Sequence, residues 1–348
     1  MSERTEWQWI ERYAEQFRAC ALGPDETVVV LSETRSRAVI VETARLAVQS
    51  LGASVVDVVL ATPPNPGPLP IRSTGASVAI AHNPAALAAL QAADFVVDCT
   101  LEGMLHAPEK FDILGAGTRI LMISNEHPEN SERWPHLPAL TEKINHGKEL
   151  LSAAKVMSVT SEAGTDLRIE LAGAVIGGSI GYCPEPGTIA HWPGGLVLCF
   201  PAAGTVNGKL VLAPGDVNLS FKEYIRSSIE LDIADDTITS IKGEGHDAEF
   251  FRSYLDSFGE PEAFAVSHAG WGMNPAAHWE SMAMWDKSQH NGTELRAFAG
   301  NFLYSTGANE VAGRYCRGHV DIPMRGCTVA LDGDVVVDRG RLRADLTL

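Results

Sequence analysis

What most restricts the fold of this chain is a change of rhythm near residue 155. Before it, short apolar runs alternate with stretches of helical spacing. Thr27-Val-Val-Val-Leu31 is such a run, and the spacing from Arg37 to Leu51 predicts a helix closed by Gly52. Ala53 to Leu60 predicts a second strand, ended by the turn residues Thr62 to Gly67. A helix is expected over Ala85–Ala93, strands over Asp94–Asp98 and Arg119–Ile123, and a helix over Leu140–Ala154. The longest of these runs, such as Val28–Leu31, have the length of buried strands. Alternated with helices, they build a mostly parallel, three-layer α/β domain.

After the change, the strands are short and separated by Gly, Pro and Asp turns: Val156–Thr160, Asp166–Leu171, Gly195–Phe200, Lys209–Leu212, Ser228–Ile233 and Thr237–Ile241. One amphipathic helix, Asp247–Phe258, and a hairpin over Thr328–Val337 turning at Asp332-Gly333 complete the pattern. The reading is an α/β domain over residues 1–152 and a β-rich α+β domain over 153–348. A chain of 348 residues is long enough for two cores.

Composition removes several function classes. Lys and Arg number 27 against 44 Asp and Glu, a formal charge of −17. Nucleic-acid binding and docking on anionic membranes both draw on basic residues, so neither is expected. No run reaches the ~18–20 apolar residues of a membrane span. The charged start, Met-Ser-Glu-Arg-Thr-Glu-Trp7, lacks the apolar segment of a signal peptide. Six cysteines occur without a Cys-x-x-Cys pair, which fits reduced thiols and a cytoplasmic protein.

Familiar catalytic signatures are missing or out of context. There is no phosphate-binding glycine loop and no His-Glu-x-x-His zinc helix. Gly177-Gly-Ser179-Ile-Gly181 matches the nucleophile elbow in letters. The following Tyr182-Cys-Pro184-Glu-Pro186 cannot open the helix that elbow requires. His278 and Glu280 lie two apart in a stretch of helical spacing, where their side chains diverge by about 200°. They read as surface residues.

The strongest chemical signal is Gly318-His319-Val-Asp321-Ile-Pro323. On a strand, His319 and Asp321 share one face while Val320 and Ile322 share the other. A hydrogen-bonded His–Asp pair satisfies that spacing as well as a metal site does. The best third ligand is His268, which ends an apolar strand expected over Ala263–Val266 and precedes Gly270 and Gly272, where other groups can approach closely. Two histidines and a carboxylate with open positions suit non-haem Fe(II) and O2 chemistry, although zinc peptidases use the same residue types.

Longer blocks carry a resemblance. Ser267-His-Ala-Gly-Trp-Gly-Met-Asn-Pro275, Gly300-Asn-Phe-Leu-Tyr-Ser-Thr-Gly307 and His319-Val-Asp-Ile-Pro-Met-Arg325 resemble the 2,5-dihydroxypyridine 5,6-dioxygenase family. So do Leu105-His106-x-Pro-Glu109, Gly117-Thr-Arg-Ile-Leu121 and His191-Trp-Pro193. The similarity runs through nearly the whole chain and is densest between 260 and 332. That family is related in fold to the aminopeptidase T metallopeptidases.

The resemblance implies an aminopeptidase T-like architecture and a ring-cleaving dioxygenase. By the same likeness His268, His319 and Asp321 would hold one Fe(II) per chain and His106 would be the catalytic base. Leu105 and Ser305 would line the substrate pocket. The substrate would be a small N-heterocycle, 2,5-dihydroxypyridine, opened with O2 to N-formylmaleamate in nicotinate-type catabolism, with a related substituted hydroxypyridine as the alternative. A homo-oligomer is expected by analogy with the family. Two departures stand out: Ser179 falls where the family carries a glutamate, and the segment from Gly307 to His319 is shorter. The peptidase alternative is weakened because Leu196, in Pro193-Gly-Gly-Leu196, occupies the place of a metal-bridging glutamate.

Overall fold

In the computed structural model, which describes residues 4–65 and 76–348, four apolar runs form the parallel strands β1 (Thr27–Glu33), β2 (Ser54–Leu60), β3 (Phe95–Asp98) and β4 (Arg119–Met122). Their order is β2-β1-β3-β4, and every neighbouring pair is parallel. Strand alternation sends Val28 and Val30 to one face and Val29 and Leu31 to the other. The first face is covered by α1 (Trp7–Ala19) and α2 (Ala38–Ser50) through Tyr13, Phe17, Ile40 and Val48. The second is covered by α3 (Pro84–Gln91) and α4 (Lys110–Gly115) through Leu90 and Ile113. Pro66 and Gly67, the end of the turn expected after β2, lie outside the described residues.

The remainder is dominated by two antiparallel sheets. One has eight strands, from Thr237–Lys242 at one edge to Arg341–Leu342 at the other. The other has five, in the order Arg314–Met324, Phe302–Asn309, Val266–Gly272, Leu196–Phe200, Val175–Ser179. A single large core joins them, with Leu167, Leu210, Phe251, Trp271 and Tyr304 among its members. The terminal hairpin turns at Asp332 and Gly333, both at positive φ, as a two-residue hairpin turn requires.

Four local outcomes differ from the sequence reading. The helix Pro138–Ala153 buries Leu140, Ile144 and Leu151 in the antiparallel core, not against the first sheet. An apolar stripe says that a helix packs, not which sheet receives it. Past residue 152, Ile189–His191 returns to the first sheet as its fifth strand, parallel to β4. The segment Pro261–Phe264 is a 3-10 turn, so the strand begins at Val266 and His268 sits inside it. Over Ala276–Trp285 only a 3-10 turn forms, Trp279–Ala283, and His278 and Glu280 are exposed. Ser179 ends a strand with no helix after it, so no elbow forms. Among the described residues, no helix is long and apolar enough to cross a membrane.

Candidate metal centre

Three adjacent strands of the five-stranded sheet present the site. Ser305, on the central strand, pairs with Asp321, and Gly307 pairs with His319. The side chains of Ser305, His319 and Asp321 therefore share a face. On the other side the register is irregular: Val266 pairs with Thr306 and Ala269 with Tyr304, leaving two residues opposite Ser305. This is a β-bulge at Ser267-His268. Regular alternation from Val266 would send His268 into the core. The bulge instead keeps Val266 and Ala269 in the core and turns His268 to the face of Asp321. Ser267 anchors it, with Oγ donating to the Ala308 carbonyl at 2.6 Å and lying 3.2 Å from His268 Nδ1. The following glycines are needed for contact. A Cβ on Gly270 would meet the Val197 carbonyl oxygen at 2.0 Å, and one on Gly272 the Phe298 carbonyl oxygen at 2.2 Å.

His268, His319 and Asp321 are 7%, 8% and 4% exposed. Each offers a donor atom within 4.8 Å of the others, the one such convergence among the described residues. Asp321 Oδ1 lies 3.5 Å from His268 Nε2 and 3.2 Å from His319 Nε2. Ser305 Oγ is hydrogen-bonded to Asp321 Oδ1 and lies 3.0 Å from His268 Nε2. Burial acts to raise the Asp321 carboxyl, but Arg296 and the two imidazoles outweigh it and hold it well below the usual carboxylate range. Burial brings His268 down to about 4. Near neutral pH the pocket thus holds an ionised carboxylate and a neutral imidazole at His268, the forms in which these side chains bind metals. The residues present fit a divalent cation.

His106 follows β3 on the loop beyond its carboxyl end, where open α/β sheets present ligand-contacting groups. Its ring centroid is 5.1 Å from that of His319, and both line a cavity of about 580 Å³ with Phe111, Glu310 and Tyr315. Burial, then His319, His268 and Lys110, drives the His106 imidazole well below its ordinary value, so it is a neutral acceptor. Leu105, half-buried beside it, accepts a hydrogen bond from Lys110 Nζ through its carbonyl. Ser305 is fully buried and touches two donor atoms.

Two neighbours were missed by sequence reasoning. Arg296 Nε donates to Asp321 Oδ2 at 2.5 Å from the short helix Thr293–Ala297. That helix is held by two buried carboxylates: Glu126 Oε1 accepts from Thr293 N at 2.9 Å, and Glu294 accepts from Arg133 and Trp134. The available signal was a lone cation within the apolar stretch Leu295–Ala299. His191 ends the fifth strand of the first sheet and is brought down to about 4 by burial and the nearby Arg296. Its sequence signal is the block His191-Trp-Pro193, which carries no role by itself.

Fold and site together define an aminopeptidase T-like scaffold carrying one two-histidine, one-carboxylate donor set. Wild-type AmpT from Thermus thermophilus superposes with a TM-score of 0.62 at 15% identity, covering 96% of this chain and 98% of that one, a likeness of fold. A profile of the 2,5-dihydroxypyridine 5,6-dioxygenase family matches residues 8–344, and the chain belongs to that family. The 2,5-dihydroxypyridine 5,6-dioxygenase of Pseudomonas putida KT2440 is 40% identical over 324 residues, 91% of each chain. A solved structure of 2,5-dihydroxypyridine dioxygenase from that organism has a TM-score of 0.91 at 35% identity, covering 98% of this chain and 99% of that one.

Proposed function

We propose that this chain opens 2,5-dihydroxypyridine with O2 between C5 and C6, giving N-formylmaleamate, at one Fe(II) held by His268, His319 and Asp321. The observation that carries the reading is the convergence of those three buried donors beside His106 and its cavity, in a chain of this family. Bound Fe(II) supplies the electronic route by which ground-state O2 reacts with a closed-shell ring. The protein's own part is acid–base and positional. His106 accepts the proton of the 5-hydroxyl oxygen, which makes the ring electron-rich. Arg296 keeps Asp321 ionised, and Ser305 Oγ fixes the positions of Asp321 Oδ1 and His268 Nε2. Leu105 contributes apolar surface beside His106. The cavity of about 580 Å³ has room for a single-ring substrate, and the enzyme is proposed to work as a cytoplasmic homo-oligomer.

The test is anaerobic loading with Fe(II), then addition of 2,5-dihydroxypyridine and air, with O2 uptake and loss of the ring's near-ultraviolet absorbance followed together. One O2 consumed per ring, with about one iron per chain, is the expected result. Hydrolysis of an aminoacyl anilide without O2 uptake overturns the reading in favour of a peptidase. Leu196 supports the oxygenase here, because it is a buried apolar side chain that cannot serve as a metal ligand.

A further inference from the structure

A second cleft, of about 1150 Å³, lies beyond the carboxyl ends of the parallel strands. Loops after all four contribute to it: Arg35 and Arg37 after β1, Asn65 after β2, Leu101 after β3 and Asn125 after β4. The order β2-β1-β3-β4 reverses direction at β1. Loops on either side of such a reversal diverge and open a crevice, the usual ligand position in this class of sheet.

The lining is basic in a chain whose formal charge is −17. Arg35, Arg37, Lys222 and Lys287 face the cleft. Lys287 pairs with Glu223, and Lys222 Nζ gives hydrogens to the carbonyl oxygens of Lys287 and His290, which fixes its position without neutralising it. Arg35 is exposed and makes no ion pair with a described residue. Lys222 stands on a segment that also touches the metal-donor strand. Leu219 N donates to the Asp321 carbonyl at 3.1 Å, and Ser220 Oγ donates to the His319 carbonyl at 3.2 Å. One short stretch of backbone therefore separates Lys222 from the proposed centre.

We infer that this cleft binds a small open-chain carboxylate of the class the ring-opening product belongs to, which rests on the proposed reaction. A neutral ring gains little from a cationic lining, whereas cleavage between C5 and C6 turns the carbon bearing the hydroxyl into a carboxylate. Arg35 offers that group a planar fork of donors, and Lys222 offers a fixed point charge.

The test is calorimetric titration of maleamate, and separately of inorganic phosphate, into the Fe(II)-loaded protein under nitrogen. The comparison is Arg35→Gln/Lys287→Gln, whose altered side chains are exposed. Maleamate is expected to bind the unaltered protein and to bind the variant about tenfold more weakly or worse. The initial-rate kcat/KM for dihydroxypyridine should stay within about twofold. Equal binding to both proteins, or none to the unaltered one, overturns the assignment. Phosphate binding more tightly than maleamate, and lost in the variant, reassigns the cleft to a phosphate ligand and overturns the carboxylate. Binding is read without turnover. A protein that binds maleamate but takes up no O2 with dihydroxypyridine refutes only the reaction. One that turns over and ignores maleamate refutes only the cleft.

Discussion

Replacing Arg296 with Met separates the protein's own charge balance from that of the proposed metal. Asp321 is 4% exposed and receives Arg296 on Oδ2, while Oδ1 faces the imidazoles and Ser305. Removing one partner of a buried ion pair costs about 3–5 kcal/mol, because the remaining charge stays out of water. The hydrogen bonds left on Oδ1 put this case near the lower end, at about 3 kcal/mol. With Arg296 gone, burial is opposed by the imidazoles and the Ser305 hydrogen bond without the guanidinium, so the carboxyl rises from its depressed position. A divalent cation at Oδ1 restores positive charge beside the carboxylate. The metal-loaded variant should therefore lose much less, about 1 kcal/mol. By linkage the variant then binds metal about thirtyfold more tightly than the unaltered protein, the recovered 2 kcal/mol. Urea unfolding of both proteins, metal-free and with saturating Fe(II) under nitrogen, measures all four corners of this cycle. An equal loss with and without metal, or no loss in the metal-free protein, refutes the argument.

Two other substitutions probe the same pocket. His106→Gln should retain iron while lowering kcat about 10²–10⁴-fold, the usual contribution of a general base; a normal kcat from pH 6 to 9 removes His106 from that role. His268 is held neutral in the folded protein, down to about 4, against about 6.5 when unfolded. Between those values the unfolded chain binds a proton that the folded one does not, so metal-free stability is full above about pH 6.5 and falls as pH drops toward 4. In His268→Gln the slope of stability against pH over that window should be smaller by about 1.4 kcal/mol per pH unit, and an unchanged slope in urea titrations contradicts a buried neutral His268.

Much of the scaffold could be read from local pattern, because strands buried on both faces leave an unmistakable apolar signature. β3 and β4 are buried at every position. The His319–Asp321 pair was legible for a similar reason: the spacing of two on a strand fixes a shared face. His268 was found as a residue, but its orientation was not legible. It depends on a bulge, a register event between two strands that no single-strand periodicity records. Arg296 was illegible because its meaning lies in a contact 25 residues away, made by a helix too short to show periodicity. The helix Pro138–Ala153 shows the same limit at larger scale: its apolar face was visible, its destination was not.

The return of Ile189–His191 to the first sheet has a consequence for how this molecule can be cut. β4 is hydrogen-bonded to β3 on one side and to those three residues on the other. A fragment ending at residue 152 would carry β4 as a bare margin, Arg119 and three apolar residues with free amide and carbonyl groups facing outward. Such a margin is a template for strands of other molecules. The N-terminal fragment made alone would therefore polymerise edge to edge rather than stay dispersed, and extending it through His191 would supply the missing border strand.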